Sequence, residues 1–118
     1  MPTSAQHRTK AENNEFFADE LDNPFWDWAV TGKFYAAVQY VEAYLAKKAP
    51  AVHSPSHEFR DNQIQRDAAL RPIYPDYREL KNESRDARYD ASLTFAQADV
   101  ARLEQNLDNI KKVILPLL

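Results

Sequence analysis

Six of the eight arginines, at positions 60, 66, 71, 78, 85 and 88, fall within one stretch of this 118-residue chain. Lys81, Arg85 and Arg88 follow at i, i+4 and i+7, so on a helix they project from one side, with Tyr89 beside them. Guanidinium forks suit two-point contact with phosphate or carboxylate, and a neighbouring tyrosine can stack on a base or hydrogen-bond to it. His57 and Arg60 add a second pair, three residues apart on the first turn of a helix, the end where backbone N–H groups attract anions. The chemistry this suggests is a phosphate clamp. Its contacts would be Arg85, Arg88, Tyr89, Arg60 and His57, supported by a polar strip of Tyr35, Gln39 and Glu42 on another helix.

The same residues also fit a lattice of structural ion pairs. Between 57 and 90 the chain carries seven Lys or Arg against eight Asp or Glu. Most could pair locally at helical spacing, each pair contributing only ~0.2–0.5 kcal/mol. Arg60 has an obvious structural partner in Glu42. Spacing alone leaves both readings open.

Other chemistries have less support. His53 and His57 are four apart, but Pro55 between them breaks the helix that a zinc pair needs, so no metal site is expected. No histidine follows His57, and nothing presents Ser84 as a nucleophile. With Gly32 as its only glycine, the chain cannot build a glycine-rich nucleotide loop, and no cofactor is expected. It has no cysteine, hence no disulfide or thiolate site. There is no signal-peptide pattern and no long apolar run, which together fit a soluble, cytoplasmic protein without a membrane partner. A formal charge of −3 opposes wholesale coating of nucleic acid but allows a local positive site.

The elements that must hold these residues are helical. Leu93, Ala96, Val100, Leu103, Leu107, Ile110, Ile114 and Leu117 alternate at spacings of 3 and 4, a seven-residue repeat that predicts a helix from about Ser92 or Thr94 to Leu115. Pro24 opens a second helix reaching to about Lys48, apolar on most sides. An amphipathic helix over 4–21 turns Ala11, Asn14, Phe17, Ala18 and Leu21 inward, and Ser56 caps another over 57–70. A last helix ends near Tyr89 with Tyr77, Leu80, Ser84 and Ala87 inward. The expected fold is one all-α domain over 1–118, an up-and-down antiparallel bundle of four to five helices.

Taken in order, four segments resemble the HEPN superfamily (higher-eukaryote and prokaryote nucleotide-binding domains), in particular its small stand-alone prokaryotic members. They are Phe34-Tyr35-Ala36-Ala37-Val38-Gln39-Tyr40-Val41-Glu42-Ala43-Tyr44-Leu45, His57-Glu58-Phe59-Arg60, Tyr77-Arg78-Glu79-Leu80 and Ser84-Arg85-Asp86-Ala87-Arg88-Tyr89-Asp90. The resemblance implies a helical bundle that dimerises and works in RNA metabolism, toxin–antitoxin pairs or defence. Active members of that superfamily are metal-independent ribonucleases with an arginine followed four to six residues later by a histidine. Carried onto this chain, the arginine is Arg85 or Arg88, and the histidine would fall between Asp90 and Ala96, where there is none. The position near Gln39, where similar branches carry histidine, holds an amide.

A missing general acid or base is usually worth ~10²–10⁴-fold in rate, and an unperturbed tyrosine, titrating near ~10, is a poor replacement. The leading expectation is therefore a non-catalytic HEPN-like homodimer that binds RNA or a nucleotide. The first alternative is a structural module that dimerises and pairs with a partner such as a nucleotidyltransferase or toxin. Its motivation is the long C-terminal seam and the apolar end Ile114-Leu115-Pro116-Leu117-Leu118. The second alternative is a divergent metal-independent ribonuclease using Arg85, Arg88 and Tyr89.

Overall fold

Helix signals in the sequence place five α-helices in a computed structural model that describes all residues 1–118. They are α1 (Ser4–Glu20), α2 (Trp26–Ala46), α3 (His57–Arg66), α4 (Tyr74–Tyr89) and α5 (Gln97–Ile114), and there are no strands. Thr3 starts α1 with a reciprocal capping box: its hydroxyl accepts the Gln6 N–H at 3.1 Å, and the Gln6 side chain accepts the Thr3 N–H at 2.9 Å. Ser56 caps α3 by accepting the Phe59 N–H at 3.0 Å. Pro75 lies in the first turn of α4, where its missing N–H costs nothing.

Helix α2 is the centre of the molecule. Fourteen of its 21 residues are buried, and α1, α4 and α5 all pack on it. The all-α bundle expected from periodicity is the fold observed. Its core runs from Val30, Phe34, Val41 and Leu45 of α2 to Ile64, Tyr77, Leu80, Leu103, Leu107 and Ile110 on the surrounding helices. None of the helices is long and apolar enough to cross a membrane.

The sole glycine, Gly32, lies inside α2 and has an ordinary helical backbone. A Cβ there would meet the Cβ of Ala18 at 3.0 Å and a ring carbon of Phe17 at 3.4 Å, so its absence lets α1 and α2 approach. At the same end of the molecule Lys33 is 2 % exposed, with its ammonium bound to Asp19 and Glu104.

Several expected boundaries move. Helix α5 begins at Gln97, because the Asp99 carboxylate accepts the Ala96 N–H at 2.8 Å and Ser92 is drawn into a turn on Asp90. Leu93, assigned to the apolar seam, is left 48 % exposed before the helix. Helix α3 stops at Arg66, not near 70: the Asp67 carboxylate accepts the Ala69 N–H at 2.9 Å and folds the chain back. Burial pushes the Asp67 carboxyl up, but the Lys48 ammonium, the Tyr44 hydroxyl and that N–H together hold it below the usual range. Phe17, expected inward on α1, is half exposed. At the C-terminus Ile114 is buried, and Leu115 and Leu118 pack against the core, so the apolar end is only partly free.

Candidate anion-binding site

The first turn of α3 sets one half of the site. With Ser56 as cap, His57 becomes the first helical residue, and Arg60 points inward, 8 % exposed. Its Nε donates to Glu42 Oε1 of α2 at 2.9 Å, and Glu42 Oε2 accepts the Ser54 N–H at 3.4 Å. A second guanidinium nitrogen, Nη1, lies 3.0 Å from His57 Nδ1. Arginine has no acceptor, so His57 Nδ1 must accept this bond. Partial loss of hydration, then the charges of Arg60 and Lys81, hold the His57 pKa below its usual value, and Asp61 only partly offsets them. Both effects favour the uncharged ring.

Helix α4 supplies the other half through Tyr77, Lys81, Ser84 and Arg88, spaced 4, 3 and 4 and therefore on one face. Lys81 pairs with Asp61 of α3. Tyr77 is fully buried, and burial pushes its hydroxyl up to about 12 against the opposing charge of Arg60. Arg88 Nη1 donates to the buried Ser84 hydroxyl at 2.7 Å and to the Tyr35 hydroxyl of α2 at 3.2 Å. Both Nη1 protons are thereby used. The Arg88 guanidinium lies 5.4 Å from the ring centres of both Tyr35 and Tyr89, within cation–π range.

What Arg88 lacks is a counter-charge. It forms no ion pair, and its Nε has no hydrogen-bond partner. Because that Nε is buried, the two-point Nε–Nη2 edge is closed to solvent, and Nη2 is the guanidinium nitrogen left to meet an oxyanion. Arg88 also lines a cleft of about 370 Å³ with Tyr89, Thr94 and Phe95, and with the carboxylates of Asp27 and Asp90. The buried ring of Phe34 joins the two halves, with its centre 5.9 Å from the His57 ring, 5.3 Å from Tyr35 and 5.7 Å from Tyr77.

The expected contacts thus separate. Arg88 and His57 approach the Phe34 ring separately, Arg88 through Tyr35 and His57 by its own ring at 5.9 Å. Arg60 is turned into the protein against Glu42. Arg85 has a side chain 65 % exposed, with only Asp86 near it at 3.9 Å. Tyr89 is 78 % exposed at the end of α4. Tyr35, Gln39 and Glu42 do not form one network. They go to three grooves, Tyr35 to Arg88, Glu42 to Arg60, and Gln39 to His7 of α1 at 2.7 Å.

Sequence reasoning passed over the Ser84 hydroxyl as a partner for Arg88, although the four-residue spacing from a buried position was there to be read. It also passed over His7 and Lys33, each a lone polar residue among others, with no local pattern to mark its partner. No three His, Asp or Glu side chains converge in a geometry that could hold a metal ion. In comparisons with known proteins, no family model, no curated sequence and no solved structure matches this chain, which leaves the functional reading to the geometry of the site.

Proposed function

We propose that this is a HEPN-like protein that binds RNA or a nucleotide through a phosphate group and does not cut it. The observation that carries this reading is Arg88, a half-buried guanidinium held in place by two hydroxyls, with no carboxylate partner, a buried Nε left without a bond, and Nη2 still unengaged. A lone positive charge costs stability unless something compensates it, and an oxyanion is the natural complement. Tyr35 and Tyr89 flank it with aromatic surface suited to an unpaired base. The chain provides no histidine beyond His57 to complete the cutting pair of active HEPN ribonucleases. The resemblance to those proteins adds the setting, a homodimer in a toxin–antitoxin or defence-type system in the cytoplasm.

The test is a titration of the protein with labelled single-stranded RNA and with nucleoside monophosphates. Replacing Arg88 by alanine should lower affinity by roughly ten- to hundredfold, the equivalent of a charged hydrogen-bonded contact. Arg85→Ala, at an exposed side chain, should change it much less. Failure of the wild-type protein to bind any phosphate-bearing ligand would refute the reading, and metal-independent RNA cleavage abolished by Arg88→Ala would replace it with a ribonuclease.

A second reading has its own observation. Phe16, Phe17, Phe25 and Trp28 are all more than half exposed on α1 and the start of α2. Such a surface suits an interaction module that dimerises or receives a partner protein such as a nucleotidyltransferase or toxin. Sedimentation at micromolar concentration separates the two, since a strict monomer that binds phosphate fits only a version of the first reading without its dimer.

A further inference from the structure

Helices α1 and α5 both pack on α2 but scarcely on each other, so a valley runs between them. Its floor follows Trp26, Lys33 and Tyr40, which are seven residues apart and therefore in one line along α2. One end of the valley is shut. There Glu15 of α1 meets Lys111 of α5 at 3.1 Å, and Tyr40 beneath them is 2 % exposed. The other end is open as a cleft of about 510 Å³. Asp19, Glu20 and Asp22 rim it from the end of α1, and Glu104 rims it from α5. Between these rims Leu21, Trp26, Val100 and Ala101 leave apolar surface at least partly exposed.

The charge of this cleft is one-sided. Lys33 is the only cation lining it, and Asp19 and Glu104 share that ammonium. Four carboxylates against one ammonium leave −3 there, as much as the formal charge of the whole chain. The other cations of α5 do not relieve it. Arg102 turns to Glu79, Glu83 and Asp99, Lys111 pairs with Glu15, and Lys112 lies toward the far end of the helix. We propose that the open valley receives a short basic amphipathic helix of a partner protein. Its lysines or arginines face the carboxylates, and its apolar residues cover Leu21, Trp26 and Val100. The open wall of α5, from Gln97 to Glu104, spans two turns or about 11 Å, enough to meet apolar positions i, i+4 and i+7. The carboxylates select the sign of the partner and speed its approach. This surface does not rest on the phosphate reading, because Arg88 belongs to a different cleft.

The probe is a synthetic peptide of about 14 leucines and lysines, patterned so that the leucines share one helical face. A shuffled peptide of the same composition and a peptide with glutamate in place of lysine are the controls. In amide spectra of the full-length protein, Leu21, Asp22, Val100, Ala101 and the Trp26 indole N–H should shift with the lysine peptide and much less with either control. Glu20→Lys combined with Asp22→Lys, both at exposed positions, should weaken binding by about tenfold or more. Glu12→Lys combined with Glu58→Lys makes the same change in net charge at exposed positions outside the cleft, and should cost less than about threefold. Arg88→Ala should leave peptide binding unchanged. Shifts confined to Phe16, Phe17 and Trp28, equal binding of the glutamate peptide, or equal losses in the two charge-reversed variants would overturn the proposal. The absence of any shift at millimolar peptide would do the same. Displacement of the peptide by an equal concentration of spermine would identify a polyamine site instead, and the docked helix would fall.

Discussion

Arg88 donates to the Tyr35 hydroxyl at 3.2 Å while its guanidinium carbon lies 5.4 Å from the centre of the same ring. One tyrosine thus both anchors the arginine and forms part of the aromatic wall beside it. Tyr35→Phe separates these roles by keeping the ring and removing the acceptor. The expected result is a loss of phosphate affinity of roughly three- to tenfold, with stability changed by no more than about 1 kcal/mol. Titration and thermal melting of the same preparation check both halves. Unchanged affinity would show that Ser84 alone suffices to hold Arg88.

Arg60 and Lys33 are both buried cations, but their partners differ. Glu42 has a side chain only 7 % exposed, whereas Asp19 and Glu104 beside Lys33 are 60 % and 40 % exposed. Arg60→Met strands a buried carboxylate and should cost about 3–5 kcal/mol in urea unfolding. Lys33→Met leaves its former partners in water and should stay within about 1 kcal/mol of wild type. Equal losses at the two positions would contradict this distinction.

The depressed pKa of His57 sets a direction for stability against pH. The folded state disfavours the charged ring, so the unfolded chain, with its histidine near ~6.5, binds the extra proton first as pH falls. The contribution is complete above that value and is lost as pH drops toward the lower folded-state pKa. Denaturant midpoints measured from pH 7.5 to 5 should fall for wild type and fall less for His57→Gln. Parallel curves for the two proteins would assign the slope elsewhere.

Gly32→Ala gains up to about 1 kcal/mol of helix propensity. It also places a methyl 3.0 Å from the Ala18 Cβ, which sits on a helix and cannot swing aside. Overpacking of that kind costs about 1–3 kcal/mol, so the variant should melt below wild type. Adding Ala18→Gly, which removes the opposing methyl, should recover part of the loss despite its own helix penalty. A more stable single variant would mean that α1 shifts freely on α2.

The main axis of the fold was legible because long apolar patterns dominate it. The apolar run of α2 and the repeat from Leu103 to Ile114 each bury what their spacing implies. The ends were less legible because single polar side chains decide them. Asp67 folds α3 off early and Asp99 delays α5, and neither choice shows in a hydrophobic pattern. Spacing set Glu42 across from Arg60, as the structure has it, but grouped Arg88 with Arg85 and not with Ser84. It could not separate Arg88 from Arg85, because their positions on the helix differ by less than a quarter turn. What separates them is the neighbouring helix, which brings Tyr35 to one and nothing to the other.

Helix α1 packs on α2 and makes little contact with the other helices apart from the ion pair between Glu15 and Lys111. It is attached to α2 by a short connection, and its sequence is largely polar. This is the arrangement of a clasp whose opening leaves most of the core closed. The amides of α1 should therefore exchange with deuterium ahead of those in α2, α4 and α5, as a unit of their own. Opening would release Gln39 from His7 and uncover Gly32, giving the bundle a groove that exists only while the clasp is off.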